Sequence, residues 1–162
     1  MTDSSLPPMK GLLMAIGYVV ASWALIERQL DNCVGLIFHD CNGDSIRDDI
    51  PRSLNQKIIF LRKAFLTFEQ LKPFEAWALE LLREISCVSE KRHDFVHGTI
   101  SKITPKSLEF ERVEYSVRHH HVKHKRFSAS AFPALSTSLR GLVTDTGRLH
   151  RRLRQTISQR PR

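Results

Sequence analysis

The sequence predicts a mainly α protein: a helical bundle of about four long helices with a small antiparallel β insert between the third and the last. Three observations carry this. Apolar side chains recur at steps of three and four along four long stretches. Between the third and fourth stretch the pattern changes to alternation. Loop-forming residues are confined to short segments in between. A length of 162 residues suits one domain, 1–162, with a core of its own.

The first helix is expected over about Lys10 to His39, with Leu12, Ile16, Val19, Trp23, Ile26, Leu30, Val34 and Ile37 as its apolar stripe. From Gly11 to Ile26 it carries no charge. That run is short of the ~20 residues a membrane span needs. Val19-Val20-Ala21 would pass as a signal-peptide cleavage site, but cutting there would halve a continuous stripe. The expectation is therefore a cytoplasmic protein without a membrane partner. Three cysteines, Cys33, Cys41 and Cys87, with no CxxC spacing, fit a reducing compartment and argue against a disulfide framework or a zinc ribbon.

Asp40 to Ser45 is a loop by composition, and it lacks the ordered acidic ligands and closing Glu of a calcium-binding EF-hand. A second helix should start near Asp49 and Pro51, with the proline in its first turn. Leu54, Ile58, Leu61, Phe65 and Phe68 form its stripe, and Lys72-Pro73 interrupts. The third helix follows from about Phe74, with Phe74, Trp77, Leu81, Ile85, Val88, Arg92 and Phe95 in phase. Arg92 thus falls where the period calls for an apolar side chain, a costly place for a guanidinium unless it is paired or lines a wet cleft.

Gly98 ends that helix. Residues 99–127 read as a hairpin or three-stranded meander, with a turn at Pro105-Lys106 and a phase slip near Arg112 that suits a bulge. No Gly or Asn marks the second turn. Residues 128–162 are a basic C-terminal helix, from about Ala129 to Ile157. Its stripe is Phe132, Leu135, Leu139, Leu142, Thr146, Leu149, Leu153 and Ile157. Trp23, Trp77 and most phenylalanines lie on stripes, so they belong to the core rather than to base-stacking platforms.

Charge is divided unevenly. Residues 1–117 hold 14 Lys/Arg against 16 Asp/Glu, whereas residues 118–162 hold 11 Lys/Arg and the single acid Asp145. A basic C-terminal quarter points to a polyanion such as nucleic acid, or to a solvated basic helix. The run Arg118-His119-His120-His121-Val122-Lys123-His124-Lys125-Arg126 reads either as a basic edge for an RNA backbone or as an edge strand kept from aggregating by charge.

The segment Arg92-His93-Asp94-Phe95-Val96-His97-Gly98 concentrates the chemistry. Arg presents a planar fork of donors to a phosphodiester, and His exchanges protons near neutral pH. The Arg, its polar neighbour and the later His resemble the R-x4-6-H motif of HEPN domains. These are all-helical, usually dimeric modules, many of them metal-independent ribonucleases. The resemblance implies an RNA substrate cleaved by attack of its 2′-hydroxyl, without metal or cofactor, in a toxin- or defence-type enzyme. His97 would then be the acid/base residue, Arg92 the phosphate ligand and His93 a helper. Asp94 would support them, as would Glu27, the acidic residue of an early helix. It also implies a homodimer and, for a toxin, an antitoxin protein as partner. The cations expected on RNA are Arg118, Lys123, Lys125 and Arg126 of the insert and Arg148, Arg151 and Arg152 of the last helix.

Helix geometry sets a condition. Residues five apart on a regular helix point about 140° apart, so Arg92 and His97 meet on one phosphate only if the helix unwinds or if two chains face each other. Three alternatives stand beside the ribonuclease: a catalytically silent HEPN-like module binding RNA or protein; a structural dimer with Arg92 paired internally to an acid such as Glu27; and a zinc hydrolase. The last would use His93 and His97, spaced as in H-E-x-x-H, with ligands from His119 to His124.

Overall fold

The computed structural model describes residues 6–104, 106–115 and 120–159. It is 75% helical, with four α-helices and a three-stranded antiparallel sheet between the third and fourth. The helices are α1 (Leu6–Asp40), α2 (Leu54–Thr67), α3 (Glu75–His97) and α4 (Phe132–Ser158), and the strands are β1 (Thr99–Thr104), β2 (Ser107–Tyr115) and β3 (His120–Ser128). By packing the chain falls into two compact units, one of Met1–Ser22 with Val88–Leu139, the other of Trp23–Cys87 with Arg140–Arg162. Helices α1, α3 and α4 each contribute a stretch to both.

The second unit follows its stripes. Trp23, Ile26, Leu30, Val34 and Ile37 of α1 are buried, as are Leu61 and Phe65 of α2, Leu81 and Ile85 of α3, and Leu142, Leu149 and Leu153 of α4. Thr146 lies in the same buried row, its hydroxyl donating to the Leu142 carbonyl at 2.7 Å. Helix α2 starts later than its proline suggests. Pro51 precedes it, and Ser53 is the N-cap in a reciprocal capping box with Gln56. A 3-10 turn, Glu69–Phe74, holds Pro73 before α3 begins. At the other loop, a Cβ on Gly43 would stand 2.6 Å from the Phe38 Cα and 2.9 Å from the Phe60 ring, so only glycine lets the chain turn there.

The first unit contains the sheet, in the order β1-β2-β3. The β2–β3 register runs unbroken from Ser107↔Ser128 to Tyr115↔His120. The irregularity predicted near Arg112 is instead on β1, between Ile100 and Lys102. Arg112 broke the apolar alternation without breaking the strand. It keeps the parity of Leu108 and Phe110, both buried. The second turn lies outside the described residues, as does Pro105. Phe95 of α3 sits at the centre of an aromatic cluster, with ring centroids 5.2 Å from Phe110, 4.5 Å from Phe127 and 5.6 Å from Phe132.

Lys10–Asp40 is, by length and composition alone, the one helix among the described residues apolar enough to cross a membrane. Core helices pass the same test, and its inner stripe is buried from Val19 to Ile37. Its outer side in the first unit is apolar and exposed: Leu13 at 54%, Met14 at 67%, then Tyr18 and Val20.

Candidate functional site: the C-terminal end of helix α3

Helix α3 stays regular through His97, and Gly98 N–H donates to the Asp94 carbonyl at 2.9 Å. Glycine is required here by space: a Cβ would collide with the Asp94 carbonyl and stand 3.2 Å from the Phe110 side chain. The chain therefore leaves the helix directly into β1, and the last turn is clamped onto the sheet.

That clamp centres on Asp94, which is 2% exposed. Its Oδ1 accepts from Arg112 Nη1 at 3.0 Å, and its Oδ2 lies 3.2 Å from Lys125 Nζ. The two cations come from adjoining strands. Arg112 pairs across the ladder with Lys123, Phe110 with Lys125 and Leu108 with Phe127, so all six share one face of the sheet. A carboxylate taken out of water needs compensating charge, and the sheet supplies two. Asp94, expected to support chemistry, thus joins helix to sheet, and Lys125, expected on RNA, is engaged with it. The sequence did carry a signal for this. Arg112 and Lys125 occupy alternation positions that call for apolar side chains, and two inward cations require a buried anion.

One turn of helix brings His93 and His97 together, with ring centroids 4.5 Å apart and both side chains exposed. The pKa of His93 is pushed below its ordinary 6.5, by loss of water first and then by the positive charge of Arg112, His97 and Arg92, with Asp94 opposing. His93 is therefore a neutral imidazole at neutral pH. Arg92 is half-buried. Because α3 does not unwind, Arg92 and His97 point about 140° apart within one chain.

The remaining predicted residues are dispersed. Glu27 is half-buried on α1 and belongs to the other unit. Lys123 is half-buried on the inner sheet face. On the outer face, Arg126 Nε lies 3.9 Å from Glu109 and His124 Nδ1 lies 3.4 Å from Glu111. Arg118 and His119 fall outside the described residues. In the second unit Arg148 lies 3.3 Å from Asp145, Arg152 sits 5.7 Å over the Trp77 ring, and Arg151 is exposed. No group of three His, Cys, Asp or Glu side chains able to hold a metal occurs among the described residues, so His93 and His97 stand as a pair without a third ligand there.

The chain matches no protein-family model, and comparison with curated proteins and with solved structures finds no match.

Proposed function

We propose that the protein is a metal-independent endoribonuclease of HEPN type that works as a homodimer. The observation that carries this reading is the end of α3. Arg92, His93 and His97 stand on its last two turns, with two exposed imidazoles side by side and one of them held neutral.

RNA brings its own nucleophile. One imidazole takes the proton of the 2′-hydroxyl, the 2′-oxygen attacks phosphorus, and the P–O5′ bond breaks as the second histidine protonates the leaving oxygen. Arg92 holds the phosphate and the charge that builds on it. The products are a 2′,3′-cyclic phosphate and a 5′-hydroxyl. A depressed pKa suits His93 to accept the first proton, with His97 acting as acid. Since Arg92 and His97 diverge on one helix, the working site pairs the Arg92 of one chain with the histidines of another across a two-fold axis. The exposed apolar side of α1 at Leu13, Met14, Tyr18 and Val20 gives a second copy something to cover. A toxin- or defence-type role and an antitoxin partner remain part of the same proposal.

The test is cleavage of mixed RNA in EDTA by wild type, Arg92→Ala and His97→Ala, each shown to be folded. Activity in wild type that falls at least about a hundredfold in both variants supports the reading. Mixing the two inactive variants should restore part of the activity, because a mixed dimer keeps one intact Arg92/His97 combination. The divergence of Arg92 and His97 within one chain also favours a second reading, a silent module that binds RNA or protein. Inactive but RNA-binding wild-type protein would select it.

A further inference from the structure

A cavity of about 360 Å3 lies within the first unit, on the side of α3 away from the histidine pair, between that helix, the end of β3 and the start of α4. Phe95, Phe127 and Phe132 provide its aromatic wall, with Val88, Ala134 and Leu135 beside them. It falls in the size range of small-molecule sites, which are mostly apolar with a few placed polar groups.

The polar atoms around it decide what it can take. The Ser138 hydroxyl is committed to the Ala134 carbonyl at 3.1 Å, and the Ser128 hydroxyl lies 2.7 Å from that of Ser130. No carboxylate lines the cavity. Lys91 does line it, is exposed, and forms no ion pair among the described residues. Arg126 also lines it, but its guanidinium faces Glu109, with Nε 3.9 Å from that carboxylate. The cavity thus offers an apolar, largely aromatic interior, with Lys91 as the lining cation that forms no ion pair among the described residues. A nucleobase would lose hydrogen bonds along its edge against such walls. An apolar body with one terminal anion loses none.

We propose that this cavity binds an amphiphilic monoanion, a medium-chain or aryl carboxylate, with its apolar part against Phe95, Phe127 and Phe132 and its carboxylate on Lys91. A cavity of this volume is at the small end of the range for small-molecule sites, which suits a ligand of the size of decanoate. The site is separate from the proposed nuclease centre and does not depend on it.

The test is calorimetric titration of the full-length protein with decanoate below its micellar concentration, with decanol and uridine 5′-monophosphate as comparisons. Saturable one-to-one binding of decanoate is expected, with decanol weaker and the nucleotide silent. Lys91→Gln should weaken decanoate by up to about fivefold, the range of an exposed charge pair, and leave decanol unchanged. Ala134→Leu, which fills the cavity on a helix that favours leucine, should abolish binding of both while circular dichroism stays that of wild type. Arg92→Ala should bind decanoate as wild type does. Failure to saturate, indifference to both Lys91→Gln and Ala134→Leu, or tighter binding of the nucleotide would each overturn the proposal.

Discussion

The two units solve the same burial problem in different ways. Around Leu30, Leu61, Phe65 and Ile85 the interior is apolar, and each of these side chains is almost wholly hidden. Around Phe95 and Phe110 the interior includes a buried carboxylate with a guanidinium and an ammonium turned onto it. The apolar unit depends on volume, since losing methylenes leaves a cavity whatever replaces them. The ionic clamp depends on its carboxylate. It joins α3 to β2 and β3 through Asp94: removing that carboxylate takes the shared partner from both cations, whereas removing one cation leaves the carboxylate paired with the other. The clamp also lies on the proposed catalytic turn, since Asp94 stands between His93 and His97 on α3.

The comparison can be broken from the apolar side first. Leu61→Ala should destabilise the protein by about 2–5 kcal/mol, the range for deleting a buried leucine side chain, measured by urea unfolding. The proposed RNA cleavage should keep its wild-type rate at temperatures well below the melt, because Leu61 belongs to the other unit. A loss of rate in folded Leu61→Ala protein would show the two units to be mechanically coupled.

The ionic side gives a smaller but more selective effect. A fully buried pair costs about 3–5 kcal/mol when one partner is removed. Here the Lys125 side chain is 38% exposed and Arg112 19%, so solvent screens part of that. Asp94→Ala should cost roughly 2 kcal/mol and also lower the rate of the proposed cleavage, since the turn carrying His93 and His97 loses its anchor. The triple replacement Asp94→Leu, Arg112→Met, Lys125→Met should recover most of the stability, because apolar groups of similar volume often replace a buried ion cluster at no net cost. If Asp94→Ala were as stable as wild type, the clamp would be an ornament of the fold.

This contrast also explains which parts of the chain were legible in advance. The four helices were, because leucine and phenylalanine at steps of three and four leave few alternatives, and Thr146 fitted the row once its hydroxyl could return to Leu142. The sequence places the start of α2 too early because Pro51 is compatible with a first turn, whereas the Ser53/Gln56 box depends on side-chain hydrogen bonds that periodicity ignores. Arg112 reads as a phase slip in the sequence because its partner, Asp94, is eighteen positions earlier and on another element. Arg92 drew attention as the polar break in the α3 stripe, yet the deeply buried charge is its neighbour Asp94. The motif itself was readable from residue types alone. That Arg92 and His97 do not converge within one chain followed from helix geometry, provided the helix stayed intact to Gly98, and it does.

The smallest effect sharpens the comparison at single-group level, since among the described residues each unit carries one histidine whose pKa is lowered. For His93 the causes are burial, then Arg112, His97 and Arg92; for His150 they are burial, then Arg154 and Arg151. NMR titration should place both midpoints below 6.5. Because the folded values lie below the unfolded one, each histidine's contribution to stability is complete above pH 6.5. It diminishes as pH falls from there through the folded midpoint, where the unfolded chain binds more protons. Arg112→Met should raise the His93 midpoint and leave that of His150 in place, whereas Arg154→Met should do the reverse. The proposed cleavage adds a kinetic counterpart. Its acidic limb should follow the His93 midpoint, because a protonated imidazole cannot accept the 2′-hydroxyl proton, and Arg112→Met should move that limb to higher pH by the shift seen in the titration. A limb that ignored Arg112→Met while the midpoint moved would remove His93 from the role of base and leave proton transfer to His97.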